Sequence, residues 1–257
     1  ITRTHLKYFF GWLRERGSVR AGQEGEPLSE AYLSNIYRAL QAFWKWMATE
    51  EFVDASPMAH VPKPVAVETP PPVLTLDEMK ALVATCGKGR NRSFKDIRDE
   101  AILRLIIDTG VRCSELLFPV DALNQQLNFV HVIGKAGKER DVPYGDRTAK
   151  AIDNYFFARL GESNPAMWLG NQGRHPMTYS GLYQIVHKRG RAIGMDLHPH
   201  QFRHTFAHEF RLGGGDDTDL MYLMGWDSES MCRRYGKSAA TARAHQTHAR
   251  LRLGDRI

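Results

Sequence analysis

The sequence predicts a mainly α-helical fold in two domains, with one small antiparallel β-sheet in the second. Three observations carry that reading. Apolar residues recur at i, i+3, i+4 and i+7 through most of the chain, the pattern of amphipathic helices. Five prolines crowd into residues 62–72, between a short N-terminal segment and a long C-terminal one. Two short segments, 129–133 and 139–143, flank a Gly- and Lys-rich turn, the pattern of a hairpin. A length of 257 residues is enough for a small and a larger domain, each with a core.

In the first segment Leu6, Phe9, Phe10 and Leu13 fall on one helical face. Gly17 to Pro27, rich in Gly and Glu, reads as a loop. A longer helix follows over residues 30–49, with Leu33, Ile36, Leu40, Phe43 and Met47 as its apolar stripe and Ser29 placed to cap it. The aromatic residues Phe43, Trp44 and Trp46 are expected in the core, because aromatics at helical spacing are more often packing residues than stacking platforms. Pro62, Pro64, Pro70, Pro71 and Pro72 exclude a regular helix and predict an extended linker. Directly after it, Thr75-Leu76-Asp77-Glu78 is a capping box opening a helix through about Val83.

Ile97, Ala101, Ile102, Leu105 and Ile106 mark the next helix, which Gly110 ends. Phe129 to Ile133 then reads as a strand and Glu139 to Pro143 as its return, with Lys135 to Lys138 as the turn. Further helices are expected at about 147–160, 180–192, 200–212, 217–224 and 229–235. A separate Ala- and Arg-rich helix is expected at 238–253, where Leu251 and Leu253 are candidate docking residues.

Composition is that of an ordinary globular protein, with 42% hydrophobic and 25% charged residues. No apolar run approaches the roughly 20 residues a spanning helix needs, and no signal-peptide pattern opens the chain. A soluble, cytoplasmic protein without membrane partners is expected, and Ile1 in place of Met leaves room for a preceding segment. Three cysteines, Cys86, Cys113 and Cys232, are odd in number and lack metal-ligand spacing, which argues against a disulfide framework or a zinc site. The net charge of +6 and a pI near 9.3 suit a polyanionic partner. Residues 1–61 hold seven Lys and Arg against seven Asp and Glu, so the whole excess lies beyond residue 72.

The chemistry is concentrated in an ordered set of residues. Arg112 lies in Thr109-Gly110-Val111-Arg112-Cys113-Ser114-Glu115, at a tight turn between a helix end and a new start near Ser114. A guanidinium fixed there can give a phosphate two parallel hydrogen bonds. Glu115, one turn on, can orient the arginine or cap the new helix; the plain alternative is a surface pair. His200 and Arg203 are three apart on one helical face, a spacing that suits a single phosphate. Arg203 would neutralise charge while His200 moves a proton or donates a hydrogen bond. His198, His204 and His208 read as packing or surface residues.

Lys135 at the hairpin tip is a candidate general acid, chosen over Lys138. The alternative is a solvated charge, as Lys138 and Arg140 beside it suggest. Tyr235 follows Trp226 by nine residues, and on one continuous helix the two would face opposite sides. Gly225 and the Asp227-Ser228 pair offer the break they need to share a site. A phenol, with a pKa near 10, needs cations to act as a nucleophile at neutral pH, and these residues supply them. Singly, each of these side chains has an ordinary structural explanation.

As an ordered set, Arg112, Lys135, His200 with Arg203, Trp226 and Tyr235 resemble the pattern of the tyrosine recombinases, also called phage integrases. The flanks agree: the Gly-Lys-Ala-Gly-Lys-Glu-Arg hairpin and Leu223-Met224-Gly225 are similar to the family, and the likeness covers nearly the whole chain. Tryptophan at the fifth position is as in Cre-like members, where Xer-like members have histidine. An indole N–H can donate to a phosphate oxygen but carries no labile proton, which leaves acid–base work to Lys135 and His200. One departure is Leu117-Phe118-Pro119-Val120, where a more regular continuation is expected.

The resemblance implies a SAM-like helical core-binding domain over residues 1–61, the linker 62–72, and a tyrosine recombinase catalytic domain over 73–257. The two would close as a clamp on double-stranded DNA. It implies a site-specific recombinase, the integrase of a phage or other mobile element, in which Tyr235 forms a 3′-phosphotyrosine and releases a 5′-hydroxyl. Neither metal nor other cofactor is implied. A tetramer on DNA, accessory DNA-bending proteins and association with the nucleoid follow from the same likeness. The alternatives are a type IB topoisomerase-like or Xer-like resolution enzyme with the same chemistry, and an inactive DNA-binding protein.

Overall fold

The computed structural model describes residues 1–65, 72–89, 91–134, 137–159, 161, 163–170, 175–252 and 254; in the last helix the side chains of 233–239, 241, 242 and 246 lie outside that description. The chain forms two compact units, Ile1–Thr69 and Pro70–Ile257. Most of the linker expected at 62–72 falls outside the described residues.

The first unit holds α1 (Arg3–Arg16) and α2 (Glu30–Thr49). Thr2 caps α1, and Ser29 Oγ accepts the Tyr32 N–H at 3.2 Å to cap α2 as predicted. Leu6, Phe10 and Leu13 pack with Leu33, Tyr37, Trp44, Met58 and Val61. The Tyr37 hydroxyl donates to the Val61 carbonyl at 3.0 Å and fixes the chain as it leaves the unit. The expected stripes are only partly inward. Trp44 is buried, but Phe43 and Trp46 are about half exposed and Phe9 is also exposed, at 36%. With only one helical neighbour among the described residues, α2 has too little surface opposite it to cover a wide aromatic face.

The second unit is built around α4 (Phe94–Thr109), whose Ala101, Ile102, Leu105 and Ile106 are fully buried. It follows α3 (Leu76–Ala84), where Thr75 and Glu78 make the predicted capping box. The sheet has three strands in the order β1 (Leu123–Asn124), β2 (Phe129–Ile133), β3 (Glu139–Pro143), all antiparallel. The first strand, only two residues long, carries no alternation from which it could be read. Val130 faces Val142 and Val132 faces Arg140 across the second pair, with all four buried. Helices α5 (Asp146–Ala158), α6 (Tyr179–Arg191), α7 (Pro199–Leu212), α8 (Asp217–Met224) and α9 (Glu229–Leu251) complete the unit, and α5 and α7 pack on α4.

Two expectations need correction. The separate helices expected at 229–235 and 238–253 are one helix, α9; Gly236 costs a helix only about 1 kcal/mol relative to Ala, and the Ala and Arg around it are good helix formers. Leu251 ends that helix with 41% exposure, while Leu253 lies outside the described residues. In the stretch Leu117 to Val120, Pro119 prevents helix continuation and the chain instead pairs with 165–167. The Val120 N–H donates to Pro165 O at 2.8 Å, the Met167 N–H donates to Phe118 O at 3.0 Å, and Phe118 packs edge-on against Trp168.

Gly110 is the fold's tightest link to the site. It ends α4 in the left-handed region at φ 59°, and a β-carbon there would lie 2.7 Å from Phe206 Cβ on α7. Gly110→Ala is therefore expected to lose about 2–4 kcal/mol of stability, from left-handed backbone strain and overpacking together. Gly214→Ala is the control, since its φ is 89° but its β-carbon meets open space. Thermal melting should show the larger drop at Gly110; equal drops would remove packing from the account.

Among the described residues no helix is long and apolar enough to cross a membrane, and no His, Cys, Asp and Glu cluster could hold a metal ion.

Candidate active site

The left-handed Gly110 turns the chain sharply after α4, so Arg112 emerges at the start of a short 3-10 helix, Cys113–Leu116. Glu115 performs both roles foreseen for it. Its Oε2 accepts the Arg112 N–H at 2.8 Å, and its Oε1 accepts from Arg112 Nη1 at 2.7 Å. The arginine is thus held by its backbone and its side chain at once, yet its side chain remains 33% exposed.

Glu115 itself is buried, and a second arginine satisfies it. Arg140 Nη2 donates to Oε2 at 2.9 Å and Nη1 to Oε1 at 3.2 Å. Burial opposes ionisation of Glu115, but the bonds from Arg140 and from the Arg112 backbone and guanidinium outweigh it and hold the carboxyl below its ordinary range. Arg140, taken as support for a solvated Lys135, is itself not solvated: it is 5% exposed. Successive strand residues point to opposite faces, and Arg140 shares the inward face of β3 with Val142. Lys138 is exposed but pairs with Asp227. Lys135, the candidate acid, lies outside the described residues.

On α7, Arg203 is 1% exposed. Its Nη1 donates to Gly110 O at 3.0 Å and its Nη2 to Met224 O, so it joins the end of α4 to the end of α8. Both carbonyls are ones a helix leaves without intrahelical partners. His200, at the start of α7, is exposed, with His204 edge-on against it at 4.8 Å between ring centres. Burial alone would not single out Arg203, because Arg98, Arg159 and Arg211 are also buried and bonded to main-chain carbonyls. Position does: Arg112, His200 and Arg203 line one cavity of about 300 Å³.

Tyr179, Tyr183, His198 and Ser114 line the same cavity, and none of them stood out in the sequence. His198, read there as packing or surface, stacks on Tyr183 and sits 2.9 Å from its hydroxyl. Cys113 also lines the cavity, but burial pushes its thiol up to about 11, so it stays protonated at neutral pH and is a poor nucleophile.

Trp226 lies behind Arg203. Its ring is 7% exposed, packs with Ala207, Leu220, Met224 and Cys232, and has the Arg203 guanidinium carbon 5.4 Å from its centre. The break required between Trp226 and Tyr235 is present: α8 ends at Gly225 in the left-handed region at φ 59°, and α9 starts at Glu229. Of the Asp227-Ser228 pair, Ser228 takes the N-cap position of α9 without a side-chain capping bond, and Asp227 pairs with Lys138. Tyr235 lies in the second turn of α9; its side chain is outside the described residues.

Two arginines and a histidine, from the 3-10 turn and from α7, converge on one open cavity, a donor set that can hold a phosphate on a helical scaffold. Comparison with known proteins gives that class its place. Residues 72–242 match the phage integrase family, and the chain belongs to it. It is thereby a tyrosine recombinase, an enzyme that cleaves and rejoins DNA. Tyrosine recombinase XerD of Halalkalibacterium halodurans is 26% identical over 260 residues, covering 98% of this chain and 80% of its own. Tyrosine recombinase XerD of Chlorobaculum tepidum is 32% identical over 214 residues, covering 78% of this chain and 68% of its own. In fold, the chain is similar to the XerH site-specific recombinase bound to palindromic difH substrate, with a TM-score of 0.73 at 18% identity, over 96% of this chain and 72% of that one.

Proposed function

We propose that the chain cuts duplex DNA by attack of the Tyr235 phenol oxygen on a phosphate held by Arg112 and Arg203. A P–O bond forms to the tyrosine and the P–O5′ bond breaks, leaving a 3′-phosphotyrosine and a 5′-hydroxyl. The phenol proton passes to His200, and the departing O5′ takes a proton from Lys135. No hydrolysis intervenes, so the 5′-hydroxyl of a second strand can reverse the step. Trp226 contributes packing behind Arg203 and an indole donor, not a proton. Residues 1–61 serve as the core-binding DNA domain and 73–257 as the catalytic domain, with four copies acting on two sites.

The observation that carries this reading is the convergence of Arg112, His200 and Arg203 on one cavity. The test uses the full chain and a randomised duplex library nicked so that the 5′-hydroxyl fragment diffuses away. A denaturation-resistant adduct is expected, with residue 235 joined to a DNA 3′ end by peptide mapping. No adduct, or attachment elsewhere, overturns the assignment. Sequencing the attached DNA gives the cleavage position and target together.

We favour the integrase of a mobile element, because Trp226 occupies the position where Xer-like members have histidine. A chromosome-resolving role is the second reading, favoured by the Xer names of the curated relatives. Genomic fragments in place of the random library separate the two: sites at both ends of a mobile element, or one chromosomal locus.

A further inference from the structure

We infer that Arg140 is a positioning residue for strand cleavage: it ties the turn that aims Arg112 to the helix end that carries Trp226. This rests on the proposed chemistry at the Arg112 and Arg203 cavity.

One guanidinium makes all the connections. Two of its nitrogens grip both carboxylate oxygens of Glu115, at 2.9 and 3.2 Å, and the third, Nε, donates to Leu223 O at 2.8 Å. Glu115 passes the constraint to the backbone and guanidinium of Arg112. Leu223 and Met224 are the last two residues of α8, and Arg203 binds the carbonyl of the second. Arg140 and Arg203 therefore clamp adjacent carbonyls at the negative end of that helix, just before Trp226.

The surroundings are shaped for this guanidinium. A β-carbon on Gly134, at the base of the hairpin, would lie 3.3 Å from Arg140 Nη1 and equally close to Glu115 Oε1. One on Gly225 would lie 3.1 Å from the same Nη1. Two glycines from separate elements thus leave the room it occupies. A lysine could not replace it, since one ammonium cannot span a carboxylate in parallel and reach a carbonyl at right angles.

The charged groups facing Glu115 are Arg112 on its own turn and Arg140 on β3. Without Arg140, burial would push the Glu115 carboxyl upward, and a protonated Glu115 would lose its ionic hold on Arg112. The sign follows: the defect deepens as pH falls.

The test measures single-turnover adduct formation by the full chain, at saturating DNA, on a nicked duplex recovered from the random library, between pH 5.5 and 8. The rate of Arg140→Met relative to the unchanged protein is expected to fall as pH is lowered, approaching about tenfold per pH unit below the new Glu115 pKa. Adding Glu115→Gln to both proteins should make that ratio independent of pH. A flat ratio with Glu115 present, in a protein that melts normally, overturns the inference. If Arg140→Met does not fold, Arg140→Gln, which also removes the charge, is measured in the same way, and a flat ratio there assigns Arg140 to the core alone. The unchanged protein is the control: if it forms no adduct, the recombinase chemistry at this site fails, independently of Arg140.

Discussion

Tyr235→Phe is expected to bind the nicked duplex as tightly as the unchanged protein and to form no covalent adduct. The substitution removes one oxygen and keeps the ring, so the helix and its packing face no new volume. On the proposed chemistry it removes the nucleophile, and no described group near the cavity can replace it. Cys113 is held protonated, with its thiol near 11, and among the described residues no base is bonded to Ser114 on the turn beside it. The position of Tyr235 along α9 is suitable. Arg211 on α7 donates to Cys232 O at 3.0 Å, and Cys232 is buried, which anchors the first turns of α9 to the helix that also carries His200 and Arg203. Tyr235 follows that anchor by three residues in the sequence. Filter binding alongside a denaturing gel separates the two effects: binding without adduct is the expected result. An adduct formed by Tyr235→Phe would move the nucleophile to another residue.

The order of the site was legible in the sequence because order and spacing survive without coordinates. Arg112 after a helix-ending glycine, His200 and Arg203 three apart, and a forced break between Trp226 and Tyr235 each follow from local rules, and each is found in the structure. What holds the site together was not legible, because it depends on pairs far apart in sequence. Glu115 could be matched to Arg112, three residues away, but nothing local joins it to Arg140, 25 residues away across a strand turn. A signal existed: on β3, Arg140 is two residues from Val142 and shares its inward face, so an arginine there had to be bonded. Tyr179 and Tyr183 reach the cavity only through the packing of α6 beside the 3-10 turn, a tertiary contact no periodicity reports, and His198, at the N-cap of α7, stacks on Tyr183 there. The error over Phe43 and Trp46 has the opposite origin. Periodicity identifies an apolar face but does not say whether anything stands opposite it.

Arg112→Ala and Arg203→Ala should both reduce cleavage by about 10²–10³-fold, because each removes a preorganised donor from the transition state of the same phosphate. They should differ sharply in stability, and that difference tests their separate placements. The Arg112 side chain is one-third exposed, and Arg140 still satisfies Glu115 when it is gone, so its removal is expected to cost stability little. Arg203 is 1% exposed, and its loss strips donors from Gly110 O and Met224 O and leaves a void beside Trp226. An acceptor left unsatisfied in the interior costs about 1–3 kcal/mol, and two are involved. Arg203→Ala should therefore lower the melting temperature well beyond Arg112→Ala while cleavage falls similarly in both. Arg203→Lys restores the charge without the fork, and should recover little of either. Rates measured at a temperature where all three variants remain folded isolate the chemistry. Full cleavage by folded Arg203→Ala would make Arg203 a structural clamp only, like Arg159; equal melting of the two alanine variants would contradict its burial between α4 and α8.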